Sequence, residues 1–137
     1  MWDPWTDRNV KAIESVQRRA VRWVTGRWSN YSHPSEMVKE LNWRSLQQRR
    51  VDNRLTMIYK MRNGLVGIDT RSILVPMSGM TAAAHPHRYL VPRLGRIDVH
   101  TNSFFVRSVV QWNSLPNDVA ASPSADAFKR RVSGMQH

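Results

Sequence analysis

The run Ser45-Leu46-Gln47-Gln48-Arg49-Arg50-Val51-Asp52-Asn53-Arg54-Leu55-Thr56-Met57-Ile58-Tyr59-Lys60-Met61-Arg62-Asn63-Gly64 reads as a helix with both of its ends written into it. Ser45 and Gln48 form a capping-box pair, in which each side chain satisfies the other residue's backbone N–H, just ahead of a periodic run. Val51, Leu55, Ile58 and Tyr59, continued by Met61, recur at three- and four-residue steps and supply a buried stripe. Gly64 ends the helix. Arg49, Arg50, Arg54, Lys60 and Arg62 give it basic flanks.

The same grammar holds upstream. Over residues 6–25, Val10, Ile13, Val16, Ala20, Val21 and Val24 fall on one face of a helix. Thr6 or Asp7 can cap its start, and Gly26 stands where a left-handed stop belongs. Its other face carries Arg8, Lys11, Arg18, Arg19 and Arg22, with Glu14 four residues before Arg18 as a favourable pair. A polar turn, Trp28-Ser29-Asn30-Tyr31-Ser32, leads to a short helix over 34–41, with Pro34 at a first helical position and Met37, Val38 and Leu41 on its apolar side. Asn42 then takes the left-handed stop.

Downstream the pattern loosens. Residues 65–101 hold prolines, glycines and the small run Thr81-Ala82-Ala83-Ala84. Asp69 caps a turn through Leu74, and Arg88-Tyr89-Leu90-Val91 is extended, with Pro92 limiting any strand. Helical spacing returns over 102–112 with Phe104, Phe105, Val109 and Trp112, and Asn113-Ser114-Leu115-Pro116 stops it. A last helix has Ser122 as cap, Pro123 at the first position, and Ala127, Phe128 and Val132 facing inward. The expected architecture is mostly α: a small bundle of about four to five helices with a long irregular central connection. It forms one region over 1–137, helical at 6–64, irregular at 65–101 and helical at 102–133. Six tryptophans and three phenylalanines are expected to anchor the core. A connection this long counts against tight independent folding.

Apolar residues make up 41% and charged residues 23%, the balance of a folded chain rather than a disordered one. Charge is the unusual quantity. Twenty-one Lys and Arg against ten Asp and Glu leave +11, a field suited to a polyanion such as RNA or DNA. With no cysteine, disulfides and thiolate metal sites are excluded. No stretch approaches a spanning helix and Met1-Trp2-Asp3-Pro4-Trp5 is no signal peptide, so an intracellular location, nucleus or cytoplasm, is expected rather than secretion. A membrane partner is not expected, because the basic first helix lacks large apolar anchors.

Catalytic constellations are missing. There is no glycine-rich phosphate cradle, no nucleophile elbow and no helical two-histidine zinc pattern, so no catalytic residue, cofactor or small-molecule substrate is expected. His85 and His87 flank Pro86, but two histidines without a third ligand read better as a solvated loop pair than as a metal site. The arginine-rich set is the one coherent feature: Arg18, Arg19, Arg22 and Arg27 near the end of the first helix; Arg49, Arg50 and Arg54 near the start of the third; Lys129-Arg130-Arg131 in the last. Guanidinium groups bind phosphate bidentately, and a solvated helix face is the competing reading. Trp23, Trp28, Trp43 and Tyr31 could stack on bases, but core anchoring is their commoner task and is the expectation here.

A resemblance adds what composition cannot. Glu14-Ser15-Val16-Gln17-Arg18-Arg19-Ala20-Val21-Arg22-Trp23-Val24-Thr25-Gly26 resembles the E-x-V-Q-R-R-A-A-R-F-V segment near the end of jockey-like non-LTR retrotransposon (LINE-type) reverse-transcriptase polyproteins. Met37-Val38-Lys39-Glu40-Leu41-Asn42-Trp43-Arg44-Ser45-Leu46-Gln47-Gln48-Arg49-Arg50 is similar to their M-L-x-x-L-x-W-x-S-L-x-x-R-R. Arg54-Leu55-Thr56-Met57-Ile58-Tyr59-Lys60 follows in register, as does Ser103-Phe104-Phe105-Val106-Arg107-Ser108-Val109-Val110-Gln111-Trp112-Asn113-Ser114-Leu115-Pro116. Ala125-Asp126-Ala127-Phe128-Lys129 is similar to the closing helix. The resemblance implies a region downstream of the polymerase domain, in a truncated reading frame. The family's aromatic-Ala-Asp-Asp turn and its endonuclease have no counterpart here, so the chain is expected to be non-enzymatic. Two functions then compete: a nucleic-acid-binding module, and a structural segment that packs on the upstream polymerase domain.

Overall fold

The computed structural model describes residues 3–29, 33–79, 84–92 and 102–135, and in it Thr6 stands at the N-cap of the first helix without a side-chain cap bond. Six helices and no strand occur among the described residues, the mostly α bundle expected. They are α1 (Asp7–Thr25), α2 (Pro34–Glu40), α3 (Leu46–Arg62), α4 (Phe104–Asn113), α5 (Asn117–Ala120) and α6 (Ala125–Gly134). The chain packs as two compact units, residues 1–50 and 51–137, with α3 running through the boundary.

In residues 1–50, α1 packs against α2. Val21 and Met37 are buried, and Thr25 Oγ1 lies 3.8 Å from the Met37 sulfur. Gly26 adopts φ 65° and Asn42 φ 52°, the two left-handed stops read from the sequence. At Asn42 the paired bonds Trp43 N–H to Val38 O (2.9 Å) and Asn42 N–H to Lys39 O (2.9 Å) close a Schellman turn and satisfy carbonyls the helix would orphan. The capping box of α3 is reciprocal: Ser45 N–H donates to Gln48 Oε1 at 3.3 Å, and Gln48 N–H to Ser45 Oγ at 3.1 Å. Helix α1 completes that start from outside. Leu46 N–H donates to Gln17 Oε1 (3.2 Å), Gln17 Nε2 to the Arg44 carbonyl (2.8 Å), and Gln47 N–H to Glu14 Oε1 (2.7 Å). A carboxylate at a helix N-terminus also meets the positive end of its dipole. Glu14 therefore does not form the pair with Arg18 that spacing suggested; its partners are α3 and, at 3.9 Å, Arg50.

The apolar face of α1 is wider than what covers it. Gln17 and Val21 are buried, whereas Val16 and Val24 are 61% and 62% exposed. The six residues share one face of the helix, and burial covers only part of its arc.

Residues 51–137 carry the larger core. Val51, Leu55, Ile58, Tyr59 and Met61 of α3 are all buried, as the stripe required, and join Val109, Trp112, Leu115, Val119, Phe128 and Val132. Tyr59 stacks on Phe128 with ring centroids 4.6 Å apart, and Trp112 lies 5.6 Å from Phe128. The described part of the irregular connection is tied into this core. Leu74 and Tyr89 belong to it, Pro76 and Tyr89 form a single antiparallel bridge, and Asp69 Oδ1 accepts from Arg71 N–H at 3.1 Å. Asn113 clamps Tyr89 through both backbone groups, at 2.9 and 2.7 Å.

Two expectations are corrected here. Ser124, not Ser122, caps the last helix, accepting from Ala127 N–H at 3.2 Å. Ser122 is buried and engaged elsewhere: its Oγ donates to the Val119 carbonyl (2.7 Å) and its own carbonyl accepts the Tyr59 hydroxyl (2.6 Å). Among the described tryptophans only Trp112 is core; Trp5, Trp23, Trp28 and Trp43 are exposed.

Candidate nucleic-acid interface

Helix periodicity decides which basic side chains reach solvent. Arg8, Lys11, Arg18 and Arg19 of α1 are exposed, and none has an ion-pair or side-chain hydrogen-bond partner among the described residues. Arg22 is half-buried, and its Nε is buried without a partner. Between Arg8 and Arg27 the only carboxylate is that of Glu14, which faces α3. The outer side of α1 beyond Asp7 is therefore a cationic ridge without an ion pair among the described residues. Arg27 differs: it donates to both carboxylate oxygens of Glu40, at 3.2 and 2.9 Å.

The second basic group divides. Arg49 is exposed, while Arg50 is largely covered and lies 4.0 Å from Asp3 and 3.9 Å from Glu14. Arg54 is only 7% exposed and donates Nε to Gln111 Oε1 at 3.1 Å. Burial commits Arg54 to the interior of residues 51–137, so it leaves the set offered to a phosphate, and Arg50 is a structural cation first. In α6, Lys129 and Arg130 are exposed, and Arg131 donates to the Asp118 carbonyl at 2.6 Å. The structure thus places Arg18, Arg19 and Arg22 on α1 and Arg27 just beyond its end, and leaves Arg49, Lys129 and Arg130 as exposed cations on other elements.

The aromatic residues reverse the expectation. Trp23 and Trp28 are 73% and 58% exposed and meet edge to face, centroids 6.1 Å apart at 77°. Trp43 is also exposed, and Tyr31 lies outside the described residues. The signal was present in the sequence. Two residues along a helix are about 200° of rotation, so Trp23 cannot share the inward line of Val21.

His87 is the other correction. It is buried rather than solvated, and its Nε2 donates to the Leu115 carbonyl at 3.1 Å. Burial, the largest cause, holds its pKa below the ordinary 6.5, with the Arg62, Arg88 and His85 charges acting in the same direction. Trp112 Nε1 donates to the His87 carbonyl at 2.8 Å, which fixes the residue on α4. Among the described residues no three His, Asp or Glu side chains come together as a metal-ligand group. Likewise no helix there is long and apolar enough to cross a membrane. Comparison with protein-family models, curated proteins and solved structures returns no match for this chain.

Proposed function

We propose that the chain is a non-catalytic, basic fragment of a jockey-like non-LTR retrotransposon reverse-transcriptase protein, from the region downstream of the polymerase, which binds RNA or DNA through the phosphate backbone in the nucleus or cytoplasm. One observation carries the reading. Arg8, Lys11, Arg18 and Arg19 stand exposed along α1 with no carboxylate partners, so their charge is available to a polyanion. Arg49, Lys129 and Arg130 add further exposed cations. The mechanism is release of counterions from the nucleic acid, which is indifferent to base sequence and steeply dependent on salt. The order and spacing of the segments around Val16, Trp43 and Phe105 support the retrotransposon assignment.

The test is fluorescence anisotropy with labelled RNA and DNA at rising salt, on the wild type and on Arg18→Glu/Arg19→Glu/Arg49→Glu. The expected result is binding that weakens steeply between about 50 and 200 mM salt, and that the triple reversal removes at any salt. Binding unchanged by the reversal would overturn the proposal and return the chain to the packing segment of a polymerase domain.

A further inference from the structure

We infer that the exposed Trp23–Trp28 pair is a stacking platform for unpaired bases, so that the chain prefers single-stranded over duplex nucleic acid. The inference rests on the nucleic-acid reading above and names the form of the ligand.

The platform is built from local chemistry. Trp23 lies in the last turn of α1, four residues after Arg19, so the two side chains are neighbours on one ridge. Gly26, at φ 65°, reverses the chain immediately afterwards and brings Trp28 back to 6.1 Å from Trp23. The exposed Arg27–Glu40 pair at 2.9 Å links the intervening residue to α2. An edge-to-face arrangement at 77° occupies an edge of one ring and one face of the other, and does not cover the remaining faces. Val16 and Val24, both exposed, extend the apolar strip beside them.

Charge complementarity selects the occupant. Arg19 borders the strip and lacks a carboxylate partner, so its natural ligand carries flat apolar faces beside anions, as a single strand does with its bases and phosphates. Duplex ends offer few such faces, since their bases are stacked on each other. A second copy of this chain would bring the same cationic ridge against itself in a symmetric interface. An anionic bilayer would also meet Trp23 and Trp28, since tryptophan anchors interfacial helices, so vesicle binding is the competing outcome that the experiment separates.

The experiment compares labelled oligouridylate with duplex RNA of the same length, on wild type, Trp23→Ala/Trp28→Ala and Trp23→Tyr/Trp28→Tyr. Both residues are exposed, so helix content by circular dichroism is expected to be unchanged in each variant. The alanine pair should lose about tenfold or more in single-strand affinity, leave duplex affinity within about twofold, and be rescued by the tyrosine pair. Full single-strand affinity in the alanine pair, with binding still abolished by the Arg18, Arg19 and Arg49 reversals, overturns the platform and leaves the phosphate reading standing. No binding of wild type to either RNA overturns both. Loss by the alanine pair of binding to phosphatidylserine vesicles, with RNA binding intact, overturns the platform in favour of a membrane surface.

Discussion

Protonating His87 would place a second N–H on a ring whose Nδ1 is buried and without a partner. The neutral tautomer with hydrogen on Nε2 is therefore the folded form, bonded to Leu115 O. Its pKa is lowered from 6.5 in the folded chain, which fixes the sign of the pH dependence. Above 6.5 both folded and unfolded forms are neutral and the stability is complete. Below it the unfolded chain takes up a proton that the folded chain refuses, and stability falls until the pH reaches the lowered folded value. Urea denaturation midpoints should thus decline from about pH 7.5 to about 5.5. His87→Gln, which keeps a donor toward Leu115 and cannot titrate, should flatten that decline. An equal slope in the variant would assign it to other groups.

Helix ends were legible in the sequence because their causes are local. Ser45 and Gln48, Asn42, Gly26 and Gly64 all act within five residues of where they stand, and each does what its type and position dictate. Ser45→Ala should lower stability by about 1 kcal/mol, read from a shift in the denaturation midpoint at constant slope. Asn42→Gly should be neutral or slightly stabilising, which would separate the stop conformation from the side chain. What failed was non-local. Ser122 followed by Pro123 is a sound cap signal, but Tyr59, far away in sequence, takes the Ser122 carbonyl. Helix α5 spans four residues, too short to show a period. Periodicity places Val16 and Val24 on the apolar face of α1 without telling whether a neighbour covers them. For the candidate interface this mattered most: the arginines were legible as a set, but Arg54 was counted among surface cations and Trp23 among core anchors.

Across the whole chain the apolar burial is uneven. Every member of the extended core lies within residues 51–137, whereas the buried hydrophobics among the described residues of 1–50 are Val21 and Met37. Burying a large side chain contributes roughly 1.5–3 kcal/mol, so residues 51–137 hold most of the stabilisation. Native-state hydrogen exchange should rank accordingly, with α1 and α2 amides opening at lower free energy than those of α4 and residues 51–62. Equal protection throughout would contradict that ranking. The same unevenness suits the proposed role, since the cationic ridge lies in the less heavily packed of the two units.

Among the described tryptophans Trp112 alone is buried, which has a spectroscopic consequence. Indole emission shifts to the red when the ring meets water, and Trp5, Trp23, Trp28 and Trp43 all do so in the native fold. Native protein will therefore emit much as a denatured chain does, with the blue-shifted signal of Trp112 as a minor component. Melting of the core around Phe128 will move the spectrum only slightly, and a red maximum in a fresh preparation marks this arrangement of tryptophans rather than damage.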